Sequence, residues 1–283
     1  MTDPQSAQQQ DIQALAKGGR TNFFGFLLRL MGTAPFLFIA GRLYGPQALG
    51  IYASALVIVE LAGQVGSLGQ RRGLAHWLSD DSRDPASVVA DAMLLALVVS
   101  GSVAVLLYLF PAPLFPSGLY NEWDRLLPFA IIPHALTEVA LAALAYRYNV
   151  AATVRARSLV EPWTQTLAAT GFLLILPEAG LTLSFLMAKS AAAVAAFIPL
   201  LRSYGLPRGW SPHPGRTGKL AMHLMPLAGA DMVEWGTRKL DIAILGLFTS
   251  PAAVGIYYAA QQVASLPQKL KTSFEPILGP VIT

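Results

Sequence analysis

Eight long apolar runs, each bounded by charge, proline or glycine, decide what this chain can fold into. A bilayer core about 30 Å thick is crossed by about 20 apolar residues of helix. Runs of about that length or longer occupy Asn22–Tyr44, Gln47–Gly69, Ser87–Phe110, Arg125–Tyr146, Leu159–Pro177, Gly180–Leu201, Gly218–Phe248 and Pro251–Lys271. Composition agrees: 54% of residues are hydrophobic, 24 are glycine and only 13% are charged, against roughly 25% charged in soluble chains. With a mean hydropathy of +0.51, too little polar surface exists to coat a water-soluble globule. Since lipid leaves every backbone polar group to be satisfied internally, the expected fold class is an all-α multi-pass membrane protein of about eight transmembrane helices.

The basic residues set the expected orientation, because loops rich in Lys and Arg stay on the cytoplasmic side. With the N-terminus inside, inside segments hold Lys17, Arg20, Arg71, Arg72, Arg83, Arg147, Arg155, Arg157, Arg202, Arg208, Arg216 and Lys219, and outside loops hold Arg42 and Arg125. Twelve against two is an asymmetry that one missed or invented span would scramble. The formal charge of +4 is therefore a topology signal. Nucleic acid would need the same residues on one soluble face with aromatics between them, and no nucleic-acid partner is expected.

The sequence also contains an internal repeat. Pro46-Gln47-Ala48-Leu49-Gly50-Ile51-Tyr52-Ala53-Ser54-Ala55 and Pro251-Ala252-Ala253-Val254-Gly255-Ile256-Tyr257-Tyr258-Ala259-Ala260 stand 205 residues apart and share six identities in ten. Both lie at outside turns, and the six spans between them give the copies the same orientation, as in transporters built from parallel repeats. The expected organisation is a cytoplasmic tail over 1–21, a complete six-helix lobe over 22–202, a cytoplasmic linker over 203–217, and the first two helices of a second lobe over 218–283. A six-span second unit would run beyond Thr283, so the chain is expected to be a piece of a longer protein, whether fragment, truncated gene or short form.

These residues carry a family resemblance. The run Gly41-Arg42-Leu43-Tyr44-Gly45-Pro46 through Tyr52, then Gly66-Ser67-Leu68-Gly69-Gln70-Arg71-Arg72, and Asp241-Ile242-Ala243-Ile244-Leu245-Gly246 leading into Val254-Gly255-Ile256-Tyr257 are similar to the polysaccharide flippases. These are the Wzx-type oligosaccharide translocases of the multidrug/oligosaccharidyl-lipid/polysaccharide exporter superfamily. The resemblance implies two six-helix lobes around a central cavity, in the bacterial inner membrane. It implies transport of a lipid-linked oligosaccharide of the undecaprenyl-diphosphate type for polysaccharide or lipopolysaccharide synthesis, with membrane lipids around the protein. An H⁺ or Na⁺ gradient would supply the coupling ion, and neither cofactor nor catalysis is implied. A cation-coupled drug exporter of the same superfamily is the alternative.

Ionisable groups inside the spans are the candidate site, because each costs at least about 2.5–3.5 kcal/mol at bilayer depth without a partner or a wet cavity. They are Arg29, Glu60, His134, Glu138 and Lys189 in the first lobe, and Asp231, Glu234, Arg238 and Asp241 in span seven. His134 and Glu138 are four apart and share a helix face. Asp231, Glu234, Arg238 and Asp241 fall on one helical stripe, with Glu234 and Arg238 in the favourable i,i+4 order. Arg29 or Lys189 against Glu60 or Glu138 is the expected interhelical pairing if these groups only fix packing. Phosphates would call for Arg or Lys, which gives Arg29, Lys189, Arg238 and Lys239, although three acids in span seven leave the cavity not visibly cationic.

Competing chemistry is thin. Asp80-Asp81-Ser82-Arg83-Asp84 has the D-D-x-x-D arrangement by which magnesium-dependent membrane prenyltransferases hold a diphosphate, but such enzymes need two clusters and only one is present. Ser158-Leu159-Val160-Glu161 has capping-box spacing. The chain has no cysteine, no Walker A loop and no histidine spacing that fits a metal.

Overall fold

In the computed structural model, which describes residues 24–80, 83–207 and 209–267, nearly all of those segments are helical. Helix α1 spans Phe24–Tyr44 and ends in a π-helical turn, Ile39–Tyr44. Helices α2 Pro46–Ser67, α3 Gln70–Leu78, α4 Pro85–Leu109 and α5 Ile131–Tyr146 come next, with a 3₁₀ lead-in to α5 at Asp124–Ala130. One continuous helix over 150–175 is built from α6 Val150–Thr153, a π-helical turn at Val154–Val160 and α7 Glu161–Ile175. Then come α8 Gly180–Tyr204, α9 Pro214–Phe248 and α10 Pro251–Ala264. Prolines at the first turns of α2, α4, α9 and α10 lack the N–H that would go unpaired there.

Five segments are long and apolar enough to cross a membrane: Phe24–Tyr44, Pro46–Leu78, Pro85–Leu109, Asp124–Tyr146 and Pro177–Tyr204. The protein is an all-α multi-pass membrane protein. The other three expected spans are helical but fall short of that test. The 150–175 helix carries Arg155, Arg157, Glu161, Gln165 and several threonines, α9 carries a stripe of charge, and the described part of α10 is 14 residues. The N-terminal tail 1–21, Arg208 and the stretch of span eight through Lys271 lie outside the described residues.

Two apolar clusters hold the bundle, one at each end. Leu49, Tyr52, Leu114, Leu127, Ile131 and Phe185 pack at the end carrying the Pro46 turn. Leu74, Val88, Leu144, Leu200, Leu220 and Leu224 pack at the other. Large apolar side chains such as Leu106, Leu167, Leu174 and Ile175 remain exposed on the outer faces of α4 and α7, where lipid rather than water is the solvent. The connection after α8 is pinned down: Trp210 Nε1 donates to Asp91 Oδ1 at 2.8 Å, and Arg216 Nε lies 3.4 Å from Asp91 Oδ2.

The break between α2 and α3 sets the direction of α3. Leu68 (φ 48°) and Gly69 (φ 66°) are both left-handed, a conformation glycine adopts without steric cost. They redirect the chain so that α3 leans on α9. A Cβ on Gly69 would stand 2.8 Å from Leu227 C and 2.5 Å from Ala228 N, and those are backbone atoms that cannot swing aside. Gly69→Ala is therefore expected to destabilise by about 2 kcal/mol or more. Gly101→Ala, mid-helix in α4 with nothing within 4 Å of its Cβ, should stabilise by about 0.5–1 kcal/mol. Thermal unfolding in one detergent checks both, and equal shifts would refute the argument.

Candidate functional site

The ionisable residues of the spans form two networks. The first lies inside the first six spans. His134 and Glu138 stand one turn apart on α5, with His134 Nε2 3.9 Å from Glu138 Oε1. Lys189 on α8 donates to Glu161 Oε1 on α7 at 2.7 Å and lies 3.3 Å from His134 Nδ1. A lysine can only donate, so Nδ1 accepts and the ring proton sits on Nε2. Arg157, carried on the π-helical turn, is ion-paired and hydrogen-bonded to Glu138. Gly63 of α2 leaves the space that the His134 ring fills. Two carboxylates face two bases around a neutral imidazole, and Glu138 and Lys189 are buried, so the charges cancel and little is left over for a ligand.

The second network joins α2 and α3 to α9. Arg72 Nε lies 2.6 Å from Asp231 Oδ1, and the same guanidinium hydrogen-bonds Glu234. Arg71 stands 3.9 Å from Asp231 and 3.7 Å from Glu234, and Arg238 donates to Glu234 at 2.9 Å. Toward the Pro46 end, Lys239 Nζ is 3.8 Å from Glu60 Oε2 and 5.9 Å from the centre of the Tyr258 ring. Exposure separates strong from weak here. The Asp231 side chain is 2% exposed, so Arg72 compensates a buried charge. Arg238 is 70% exposed, and an exposed pair of that kind contributes only about 0–1 kcal/mol. Arg71, Arg72 and Arg238 against Asp231 and Glu234 leave one net positive charge on a partly open surface, with guanidinium forks suited to phosphate oxygens.

The structure thus redistributes the expected residues. Lys189 pairs with Glu161, Glu138 with Arg157 and Glu60 with Lys239, instead of the pairings among Arg29, Lys189, Glu60 and Glu138 alone. Asp231, Glu234 and Arg238 meet as expected. Asp241 leaves that group and accepts from Tyr257 Oη at 2.7 Å and Gln261 Nε2 at 2.5 Å on α10. Arg29 is exposed on α1. Ser158 and Glu161 make no capping box, because the helix runs straight through them and Val160 caps nothing.

Four partners are not singled out by the sequence. Arg71 and Arg72 count there as inside charges and as the end of a resemblance motif, Arg157 as an inside charge, and Glu161 as a cap, none of them as a site residue. Glu161 has a signal of its own, since it lies inside the apolar run Leu159–Pro177 and meets the same test of burial cost as Lys189. The acidic loop is different. Asp84 caps α4, its carboxylate accepting from Ala86 N, Ser87 N and Ser87 Oγ, while Asp81 lies outside the described residues. Asp84→Ala should lower stability by about 1 kcal/mol through loss of the cap without loss of the protein's activity; abolished activity at normal stability would revive a metal-binding role. Cavities of about 220 and 500 Å³ near this loop are lined by Arg83, Asp91 and Arg216, and by His76, Trp77 and Arg83. Neither includes a residue of the two networks.

Neither a curated protein nor a solved structure gives a significant match to the chain. A family profile described as polysaccharide biosynthesis protein matches residues 39–283. That match takes in α2 through α10, both networks and the Pro46 and Pro251 turns, and the chain belongs to this polysaccharide biosynthesis protein family.

Proposed function

We propose that this chain is part of a flippase that moves a lipid-linked oligosaccharide, of the undecaprenyl-diphosphate type, outward across the bacterial inner membrane. The first lobe is 22–202, the linker 203–217 and the start of the second lobe 218 onward, with the N-terminus cytoplasmic. Rocking of the two lobes gives alternating access. The observation that carries this reading is the cluster of Arg71, Arg72 and Arg238 where α3 meets α9, which offers a diphosphate a net positive, partly open surface on the boundary between the lobes. Family membership supplies the polysaccharide context. Wzx-type specificity and coupling to H⁺ or Na⁺, through Glu60, Glu138 or Asp241, belong to the same proposal.

The test is a competition assay on the purified protein in lipid nanodiscs. A fluorescent lipid-linked sugar should bind and be displaced by undecaprenyl diphosphate, with displacement weakening as salt rises. No detectable binding overturns the reading. Displacement by organic cations, and not by the diphosphate, would favour the drug-exporter alternative.

A further inference from the structure

The two copies of the internal repeat lie against each other. A Cβ on Gly50 would collide with the carbonyl oxygen of Pro251 and stand 2.9 Å from Gly255 N. A Cβ on Gly255 would collide with the carbonyl oxygen of Pro46 and stand 2.9 Å from Gly50 N. Exchanging each residue for its counterpart 205 positions away, 46 with 251 and 50 with 255, turns the first contact into the second, so the contact maps onto itself. That is the signature of a local two-fold axis between α2 and α10, two helices that start at the same face and run the same way. Close backbone approach of this kind needs glycine.

The forces at the two ends of the α2–α9–α10 boundary differ. At the α3 end it is held by ion pairs from Arg72 to a buried carboxylate. At the Pro46/Pro251 end no backbone hydrogen bond joins the two helices among the described residues. The carbonyls of Pro46 and Pro251 already face the N–H groups of Gly50 and Gly255 four residues on in their own helices. Parting the two backbones there breaks no backbone hydrogen bond among the described residues.

We propose that the reciprocal contact of Pro46 and Gly50 with Pro251 and Gly255 is a separable seal between the two lobes, closed in this structure, at the face opposite the Arg72 network. The proposal rests on the two-lobe reading above. The seal opens by moving the first turns of α2 and α10 apart as rigid pieces, and the glycines set how closely it shuts.

The chain has no cysteine, so one introduced thiol is unique. Ser54, one turn below Gly50, sits 3.1 Å from the Cβ position of Gly246 in α9, just behind the seal. A Ser54→Cys variant is labelled with a membrane-impermeant maleimide in intact cells and in inverted vesicles. A Ser117→Cys variant, in the exposed 110–123 loop, reports which face is which. The seal is judged at the face from which position 117 is labelled, so a reversed orientation defeats the outward direction of transport and leaves the seal test intact. Gly50→Ala and Gly255→Ala should each speed labelling at position 54 by about tenfold or more, and Gly171→Ala, with open space at its Cβ, should not. Unchanged labelling in both glycine variants, or an increase in only one, overturns the proposal, because reciprocity demands both. If the alanine variants fail to accumulate, labelling of Ser54→Cys is followed with temperature in the native-glycine chain. A separable seal admits the label well below the unfolding transition, and labelling only on unfolding overturns it.

Discussion

Replacement of Arg72 by alanine is expected to remove diphosphate binding and to lower stability by about 3 kcal/mol. The two losses have different causes. Stability falls because the Asp231 carboxylate is 2% exposed and neither of its oxygens accepts a hydrogen bond in favourable geometry. Without Arg72 it is a buried charge with only Arg71 in reach, at 3.9 Å. Breaking a buried pair from one side costs about 3–5 kcal/mol, and the residual pull of Arg71 places this case at the low end. Binding falls because one of the three guanidinium forks of the cluster is gone. Asp231→Asn in the Arg72→Ala background separates them: stability should return and binding should not. Arg72→Lys should keep much of the stability and bind weakly, since an ammonium lacks the fork. Melting in detergent and the displacement assay read the two quantities. Recovery of binding along with stability in the double variant would show that Arg72 serves the fold alone.

The second large effect lies in the buried network of the first lobe. Glu138→Ala and Arg157→Ala should each cost about 3–5 kcal/mol, because each strands the other partner among α5, α7 and α8. Glu138 is the more deeply enclosed, at 6% exposure against 33% for Arg157, so Arg157→Ala should be the worse of the two. The double variant should cost less than the sum, with a coupling energy of about 1–3 kcal/mol. Diphosphate binding should survive in whatever fraction folds. Additive losses in a double-mutant cycle would mean that the pair makes no net contribution.

The apolar runs make the fold class legible, because their length and composition leave no room for a water-soluble globule. The helix boundaries are less legible, for a local reason. Arg155 and Arg157 read as loop charges, yet the helix continues through them, since an arginine with a carboxylate partner on a neighbouring helix, as Arg157 has, no longer needs water. The candidate site is legible as a set of residue types and not as a set of pairs. Lys189, Glu138 and Glu60 stand out by their burial cost. Their partners Glu161, Arg157 and Lys239 are fixed by how α2, α5, α7, α8 and α9 pack, over sequence separations of 28, 19 and 179 residues that no helical period encodes. Asp241 shares the right stripe and still turns away, because Tyr257 and Gln261 on α10 offer two donors.

The π-helical turn at Val154–Val160 has a consequence for the history of the chain. A π turn is an α-helix with one residue too many, its hydrogen bonds reaching five residues back instead of four. The turn absorbs its extra residue locally, so deletion of one residue from it would restore a regular helix in which the flanking segments keep their facing and the residues of the turn itself are shifted. Arg157 lies within the turn and Glu161, the partner of Lys189, just beyond it, so only the longer helix presents both to the same buried network. Relatives that lack the extra residue should therefore also lack the Arg157–Glu138 pair. A one-residue gap and two distant charges would then be gained or lost together, as a single inherited event.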